Sequence, residues 1–309
     1  MASQTHKSRI PRWVTYTLGA IILWGLWGIV SKLAADDLSS WTTHLLFTAG
    51  LIPPALWCSR RQKLEWKTAS PKGLLLAFLA GLSGALGNIA FFAALEKGNA
   101  SLATTMSALY PLITVLLGTI FLKERLQFGQ LIGLALAMGA ILLFAYDEKI
   151  LSTRAQLWAN WFWLALTAVA LWGVTGALQK KATETVSPEL AFCSFTAAFL
   201  PLGLLVLAMA PLRIPQNDLS WLWGIAGGIL NGVGSIFSFA AYASGGAASI
   251  VTPLGALYPG ITVLLAVFLL GESIGQWQSV AILLSILGGL ALSLAPSTND
   301  QRGAETKLK

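Results

Sequence analysis

Apolar runs of helix length follow one another along almost the whole chain. An α-helix rises about 1.5 Å per residue, so roughly 20 apolar residues cross the ~30 Å hydrocarbon core of a bilayer. Ten segments reach that length, and we number them spans 1 to 10: 13–35, 40–58, 73–95, 99–122, 127–146, 161–182, 189–210, 221–243, 247–270 and 276–295. Their connections are short, so the pattern predicts an all-α membrane protein with ten transmembrane helices.

The second half of the chain repeats the first. Residues 108–126 read ALYPLITVLLGTIFLKERL and residues 256–274 read ALYPGITVLLAVFLLGESI, with 11 of the 19 positions identical at an offset of 148 residues. At the same offset LWGLWG at 23–28 matches LWGVTG at 171–176. One offset in separate spans indicates an internal duplication.

The duplication divides the chain into two five-span repeats, 13–146 and 161–295, with 147–160 as the boundary. The 148-residue offset also pairs Gly84 with Gly232 and Phe91 with Phe239. Five is an odd number of crossings, so the second repeat is predicted to enter the membrane from the opposite side.

The basic residues fit this inverted topology. With the N-terminus inside, 15 of the 20 Lys and Arg residues fall in inner segments, as the positive-inside rule requires. Lys123 and Arg125 are replaced by Gly271 and Ser273 in the second repeat, where inversion places the connection outside. We therefore predict a multi-pass protein of the cytoplasmic (inner) membrane, with both termini and the 59–72 connection cytoplasmic and 147–160 outside.

Composition excludes several other classes of protein. The chain is 56% hydrophobic and only 11% charged, against about 25% charged in soluble domains. The net charge of +7 comes from short basic clusters between apolar runs, so we expect a lipid bilayer and not nucleic acid as the partner. His6 and His44 are the only histidines, and no phosphate-binding loop or metal-ligand spacing occurs. No cofactor, metal or enzymatic activity is expected. A membrane-embedded enzyme or a non-transporting scaffold are the alternatives.

Two Tyr-Pro pairs lie about halfway along spans 4 and 9. Proline lacks an N–H and frees a carbonyl one turn earlier, as Pro111, Pro259 and also Pro253 would do. Free carbonyls at mid-membrane depth are tolerated beside protein or a water-filled cavity, and paired helix interruptions point to a transport site. We predict gating or kink roles for the prolines and substrate contact for Tyr110 and Tyr258. The alternative is a packing kink with buried tyrosines.

Further candidates for substrate contact are tryptophans and amides within the spans. Trp24 and Trp172 occupy equivalent positions near mid-depth, and indole offers an apolar face and one N–H donor. Asn88 and Asn231 lie within spans 3 and 8. The alternatives are helix packing beside glycines for the tryptophans and interhelical hydrogen bonds for the amides. Two weaker candidates complete the predicted substrate-binding set: Tyr242 and His44.

Four charged residues near span ends occur as equivalent pairs. Lys32 and Lys180 either anchor their spans at the membrane interface or take part in gating. Glu124 and Glu272 precede spans 5 and 10, where a carboxylate stabilises the N-terminus of the next helix. We predict this structural role for both glutamates, with proton coupling as the alternative.

Two five-helix halves, a Trp-Gly early in each half, and a fourth span running from ALYP to FLKERL resemble the EamA family of the drug/metabolite transporter superfamily. The resemblance implies inverted repeats, a central cavity and alternating access, and it implies transport of metabolites or amino acids, often as efflux. We therefore expect an exporter of a small organic metabolite such as an amino acid or an amine. Spans 1, 3 and 4 and their counterparts 6, 8 and 9 are predicted to line the cavity.

Overall fold

Helices are the only regular secondary structure in the part of the chain that the structure describes. That structure is a computed structural model, which describes residues 10–34, 38–61, 66–97, 107, 109–144, 160–210, 212, 217–271 and 275–293. Eleven helices have described bounds: α1 Arg12–Ala34, α2 Ser40–Arg61, α3 Pro71–Lys97, α4 Tyr110–Ile120, α5 Phe128–Phe144, α6 Asn160–Ala182, α7 Pro188–Met209, α8 Asp218–Ala243, α9 Ala248–Gly255, α10 Tyr258–Leu270 and α11 Gln276–Ser293.

The helices are those of a multi-pass membrane protein. Among the described residues, six helical stretches are long and apolar enough to cross a bilayer by length and composition: most of α1, α3 and α8, all of α6 and α7, and α9 together with α10. The three helices α4, α5 and α11 contain shorter apolar stretches. The large aliphatic and aromatic side chains exposed along them, such as Leu204 and Phe268, are suited to contact with lipid.

Span 9 is broken before Pro259, so the kink predicted for this proline in a continuous helix is wrong. The two-residue turn Ala256–Leu257 separates α9 from α10, and Pro259 lies in the first turn of α10. Pro111 likewise lies in the first turn of α4. Proline suits that position because an N–H is not needed there and its φ is already helical. Pro253, by contrast, lies inside α9.

The starts of α4 and α10 share one geometry. Leu109 precedes α4 with φ −79° and ψ −2°, and Leu257 precedes α10 with φ −81° and ψ 2°. Each leucine is followed by Tyr-Pro as the first two residues of the new helix. The duplicated sequence therefore gives a duplicated helix start.

Most helix contacts join one repeat to the other and occur as equivalent pairs. Helix α3 packs along α6, as α1 packs along α8, and α4 contacts α6, as α10 contacts α1. In the same way α2 packs on α8 as α7 packs on α3, while α5 packs on α11. The two repeats are thus interleaved and form one unit.

A pair of glycines brings the first helix of each repeat close to the fourth helix of the other. A Cβ added at Gly173 would overlap Ile113 and lie 2.9 Å from the Tyr110 carbonyl oxygen. At the equivalent position Gly25, a Cβ would overlap Ile261. Small residues permit such close approach of membrane helices. The equivalence of the two crossings confirms the 148-residue offset in these helices.

Each crossing also carries an equivalent interhelical hydrogen bond. The Thr114 hydroxyl donates to the Gly173 carbonyl at 2.9 Å, and the Thr262 hydroxyl donates to the Gly25 carbonyl at 3.0 Å. The acceptor in each case is the carbonyl of the glycine that permits the approach, so the contact and the hydrogen bond form together.

Helices α3 and α8 correspond at an offset of 147, so the predicted pairing of Gly84 with Gly232 is wrong by one residue. Gly81 approaches the backbone of Phe195, and Gly228 approaches the backbone of Phe47. The two phenylalanines are 148 residues apart, but the two glycines are 147 apart. The same shift replaces the predicted pairing of Phe91 with Phe239. Gly84 therefore corresponds to Asn231.

Glu124 caps a helix, but not the one expected from the sequence. Its two carboxylate oxygens accept the N–H groups of Ala248 at 2.7 Å and Ser249 at 2.8 Å, at the N-terminus of α9 in the other repeat. At the start of the following helix, α5, it is the Gln130 side-chain oxygen that accepts an N–H group, that of Gln127, at 2.6 Å. Sequence proximity favoured α5, whereas packing brings the carboxylate to α9. Glu272, for which the same structural role was predicted, lies outside the described residues.

The Glu124 cap predicts a loss of stability in Glu124→Gln. Glu124 is only 8% exposed, and its carboxylate accepts two helix N–H groups, for which a single amide oxygen is a poor replacement. We expect the variant to lose about 1–3 kcal/mol in a denaturant or thermal titration in detergent. Glu184→Gln is the control, because the Glu184–Lys181 ion pair is exposed and such pairs contribute roughly 0–1 kcal/mol. Equal stability of both variants would contradict the cap.

The glycine crossing predicts that Gly173→Ala destabilises the fold. Its new methyl group would press on the Tyr110 carbonyl and on Ile113, at a cost of about 1–3 kcal/mol. The matched control is Gly129→Ala in α5, where a Cβ meets nothing within 4 Å and alanine favours the helix by up to about 1 kcal/mol. A thermal midpoint of Gly173→Ala at or above that of Gly129→Ala would refute this packing.

Candidate functional site

A cavity of about 140 Å³ lies where the two repeats meet. A site for a single water needs roughly 10–15 Å³, so this cavity has room for a small molecule. Its walls come from helices of both repeats: Thr17, Ala20, Trp24, Trp27, Phe47, Gly84, Asn88, Tyr110, Trp172, Thr175, Gly176, Gln179, Phe195, Phe199, Asn231, Ser235, Ser238, Tyr242, Val251, Thr252, Gly255 and Tyr258.

The structure brings together seven of the eight residues predicted to contact substrate. All seven lie on the cavity wall: Trp24, Asn88, Tyr110, Trp172, Asn231, Tyr242 and Tyr258. They come from the spans on which they were predicted. Tyr110 and Tyr258 are the first residues of α4 and α10, so these helices begin beside the cavity.

His44 is the exception and does not line the cavity, contrary to expectation. Its ring is fully buried in α2 and stacks on Phe199 at 6.3 Å between centroids. Phe199 itself is on the wall, so the histidine lies behind it. Helix α2 turns this position toward α7, and length and apolarity alone could not reveal that orientation.

Aromatic rings dominate the wall. Nine of the lining residues are Trp, Tyr or Phe. Tyr110 meets Trp172 edge-on at 6.0 Å and 84°, and Tyr258 meets Trp27 at 5.8 Å and 54°. Tilted and edge-to-face contacts of this kind stabilise ring positions. The cavity therefore presents rigid apolar surfaces that suit a partly apolar guest.

The polar groups on the wall are neutral. The Trp172 indole N–H donates to the Asn88 side-chain oxygen at 3.0 Å, and the Ser235 hydroxyl donates to that of Asn231 at 3.5 Å. The hydroxyls of Tyr242 and Thr252 are 2.8 Å apart. Among the wall residues that the structure describes, none is Asp, Glu, Lys, Arg or His. Orientation of a guest would thus depend on amide, hydroxyl and indole groups.

Lys180, a residue of α6, reaches the C-terminal end of α8. Its ammonium group donates to the Tyr242 carbonyl at 3.1 Å, in the last turn of α8. A cation at a helix C-terminus is favoured by the helix dipole, and here it adds to the Gly245 N–H that the same carbonyl already accepts at 3.2 Å. The lysine thereby joins α6 to the helix that carries Tyr242. Lys32 lies in α1, but its side chain is outside the described residues.

Sequence reasoning missed the second and seventh spans as part of the wall. Phe47 of α2 and Phe195 of α7 line the cavity and are 148 residues apart. Trp27 and Thr175 also line it and share that offset. The internal repeat could therefore have identified these two pairs. Six further polar or aromatic wall residues were also missed: Thr17, Gln179, Phe199, Ser235, Ser238 and Thr252.

Comparison with known proteins identifies both repeats. The model of the EamA-like transporter family matches residues 11–146 and again residues 159–294. Uncharacterized transporter YwfM of Bacillus subtilis is 28% identical over 303 residues, which cover 94% of this chain and 96% of that protein. Agreement over nearly the full length of both chains extends the similarity to the whole architecture.

Two other relatives and a solved structure agree. An uncharacterized transporter of Archaeoglobus fulgidus is 29% identical over 141 residues, covering 44% of this chain and 49% of that protein. A WAT1-related protein of Arabidopsis thaliana is 31% identical over 122 residues, 37% of this chain and 33% of that protein. The matched region thus spans about half or less of these two relatives.

One crystal structure superposes with a TM-score of 0.76 at 18% identity and covers 91% of this chain and 96% of the other, which shows a shared fold. The family model, matched once in each half, accounts for nearly all of the described helices. The chain belongs to the EamA-like transporter family.

Proposed function

We propose that this protein is a secondary transporter that carries a small organic metabolite, such as an amino acid or an amine, across the cytoplasmic membrane by alternating access. The observation that carries the proposal is a cavity whose wall is shared by both repeats and contains equivalent residues from each. Trp24 faces it with Trp172, and Tyr110 faces it with Tyr258. Such pairing lets two halves hold one guest.

The proposed topology is two inverted repeats with both termini cytoplasmic. Inversion about an axis in the membrane plane keeps a midplane residue at the midplane while it exchanges the two sides. The equivalent pairs would then stay near the bilayer centre as the halves rock. The positive-inside distribution of Lys and Arg and the exchange of helix contacts between repeats support this arrangement.

The broken helices supply the mobile elements of the proposed cycle. Helix starts at Tyr110 and Tyr258 leave backbone without continuous helical hydrogen bonding beside the cavity. Irregular backbone at membrane depth is tolerated where it lines a cavity, and such breaks flank the sites of many transporters. Motion at α4 and α10 would be relayed to the wall through Trp172 and Trp27, which their tyrosines contact.

The proposed cargo is small, carries an apolar or aromatic part, and is oriented by neutral polar groups. Nine aromatic rings favour such a guest, and their faces also attract an ammonium group. The proposed direction is export, which follows the EamA resemblance. Uptake and efflux of radiolabelled amino acids and amines in oriented proteoliposomes test cargo and direction together.

The shared wall predicts that Trp172→Ala and Tyr258→Ala weaken transport at least several-fold while folded protein is retained. Each change removes a ring from the cavity and leaves its partner ring without support. Flux in proteoliposomes, measured on protein that elutes as a single species in detergent, provides the test. Trp163→Ala is the control, because Trp163 is on the same helix as Trp172 but 54% exposed. Equal flux in all three variants would show that these rings only pack.

The inverted topology predicts opposite labelling of equivalent connections. Lys67, before α3, and Asn217, before α8, are exposed and occupy corresponding places in the two repeats. With Cys58 and Cys193 replaced by alanine, Lys67→Cys should react with an impermeant maleimide only from the cytoplasmic side, and Asn217→Cys only from outside. Reaction of both from one side would rule out inversion.

A further inference from the structure

The two equivalent tryptophans differ in whether their indole N–H groups have a partner. The Trp172 N–H donates to Asn88 at 3.0 Å. The Trp24 N–H is buried and has no partner, although Trp24 lines the same cavity. A buried donor without an acceptor costs free energy comparable to a lost hydrogen bond, so this asymmetry calls for a physical explanation.

The nitrogen edge of each ring packs on an equivalent glycine of the opposite repeat. The indole nitrogen edge of Trp172 packs on Gly87 of α3, with Nε1 2.6 Å from an added Cβ. That of Trp24 packs on Gly234 of α8, with Nε1 2.5 Å from an added Cβ. The two glycines are 147 residues apart, which is the offset that relates α3 to α8. Each tryptophan therefore approaches the same position of the opposite repeat.

The difference arises at the residue after each glycine. In α3 it is Asn88, whose side-chain oxygen reaches the indole N–H. In α8 it is Ser235, which is shorter and whose hydroxyl donates to Asn231 instead. Asn231 corresponds to Gly84, which lies one helical turn before Asn88. The side-chain amide of α8 therefore lies one turn earlier than that of α3. The substitution leaves the Trp24 N–H without the carboxamide oxygen that its twin has.

We propose that the Trp24 indole N–H, beside Ser235 and Asn231, forms the sub-site that receives a hydrogen-bond acceptor of the transported molecule. The acceptor is an oxygen of a carbonyl or carboxylate group, since it takes the place that the Asn88 oxygen fills at Trp172. The inference rests on the proposed transport function and adds which of two near-identical tryptophans selects the cargo. The Asn88–Trp172 pair then serves as a closed, structural counterpart.

The first arm of the test needs no cargo. Indole signals in ¹H–¹⁵N spectra of the full chain in nanodiscs are assigned with Trp24→Phe and Trp172→Phe. We expect the Trp172 proton downfield, as for a hydrogen-bonded indole, and the Trp24 proton upfield. Ser235→Asn should move the Trp24 signal toward that of Trp172, and Asn88→Ser should move the Trp172 signal the other way. A Trp24 signal that is already downfield and unchanged by Ser235→Asn overturns the proposal.

The second arm uses L-phenylalanine and 2-phenylethylamine, which share a ring and an amino group but differ in the carboxylate acceptor. Trp24→Phe should weaken L-phenylalanine binding about tenfold, the effect of one lost hydrogen bond, and leave that of 2-phenylethylamine nearly unchanged. Ser235→Asn should also weaken L-phenylalanine binding, because the amide fills the sub-site. Trp172→Phe, whose N–H is already bonded to Asn88, should not discriminate between the two compounds.

The outcomes separate the sub-site from the proposed function. Equal effects of Trp24→Phe and Trp172→Phe on both compounds contradict the sub-site while transport itself stands. If the wild-type protein neither binds nor transports either compound, that result contradicts the proposed amino-acid or amine cargo. The indole signals alone then decide the sub-site. The expected result is a shift of the Trp24 signal on addition of L-phenylalanine but not of 2-phenylethylamine.

Discussion

The close approach of the first helix of each repeat to the fourth helix of the other is the constraint on which the rest of the structure depends. Apolar side chains in a bilayer gain little by leaving lipid for one another, so association requires close packing and interhelical hydrogen bonds. Gly25 and Gly173 supply the approach, and Thr262 and Thr114 supply the bonds. Because both crossings join different repeats, the cavity forms along the seam between them.

Helix α9 is held at this seam by a contact from the other repeat. All eight residues of α9 are buried, and Glu124 of the other repeat holds its N-terminus. A buried helix end needs acceptors for its free N–H groups, and a carboxylate there is favoured by the helix dipole. The Lys180 ammonium group donates to the Tyr242 carbonyl and so joins α6 to the last turn of α8, the helix that precedes α9 in the chain. Both contacts link elements that carry wall residues such as Thr252 and Tyr242.

Much of the fold could be predicted from the sequence because a bilayer imposes a length. Eight of the ten predicted spans correspond to one helix each, span 9 corresponds to the pair α9 and α10, and the described part of span 4 contains α4. The repeat then identified Trp24 with Trp172 and Tyr110 with Tyr258 as wall residues, since duplication preserves which face a residue occupies. The one-residue shift between α3 and α8 was not predicted, because an apolar helix can change its offset without a change in composition.

What could not be predicted depends on contacts between distant segments. Glu124 looked like a cap for the helix that follows it, yet its partner lies 124 residues away at Ala248. His44 was predicted to contact substrate, yet it stacks on Phe199 and does not line the cavity. Span length and hydropathy describe each helix against the lipid. They do not determine which of its faces meets which neighbour, and that choice decides both cases.

Alternating access around one shared cavity is tested most directly by the reactivity of a single wall residue from the two sides of the membrane. Ser238 is buried on the wall of α8 and differs from cysteine by one atom. Ser238→Cys, in a chain whose two native cysteines are replaced, would be exposed to an impermeant maleimide in right-side-out and in inside-out vesicles. Alternating access predicts reaction from both sides, in separate experiments, at rates that a transported compound lowers. Reaction from one side only, whatever compound is present, would contradict it.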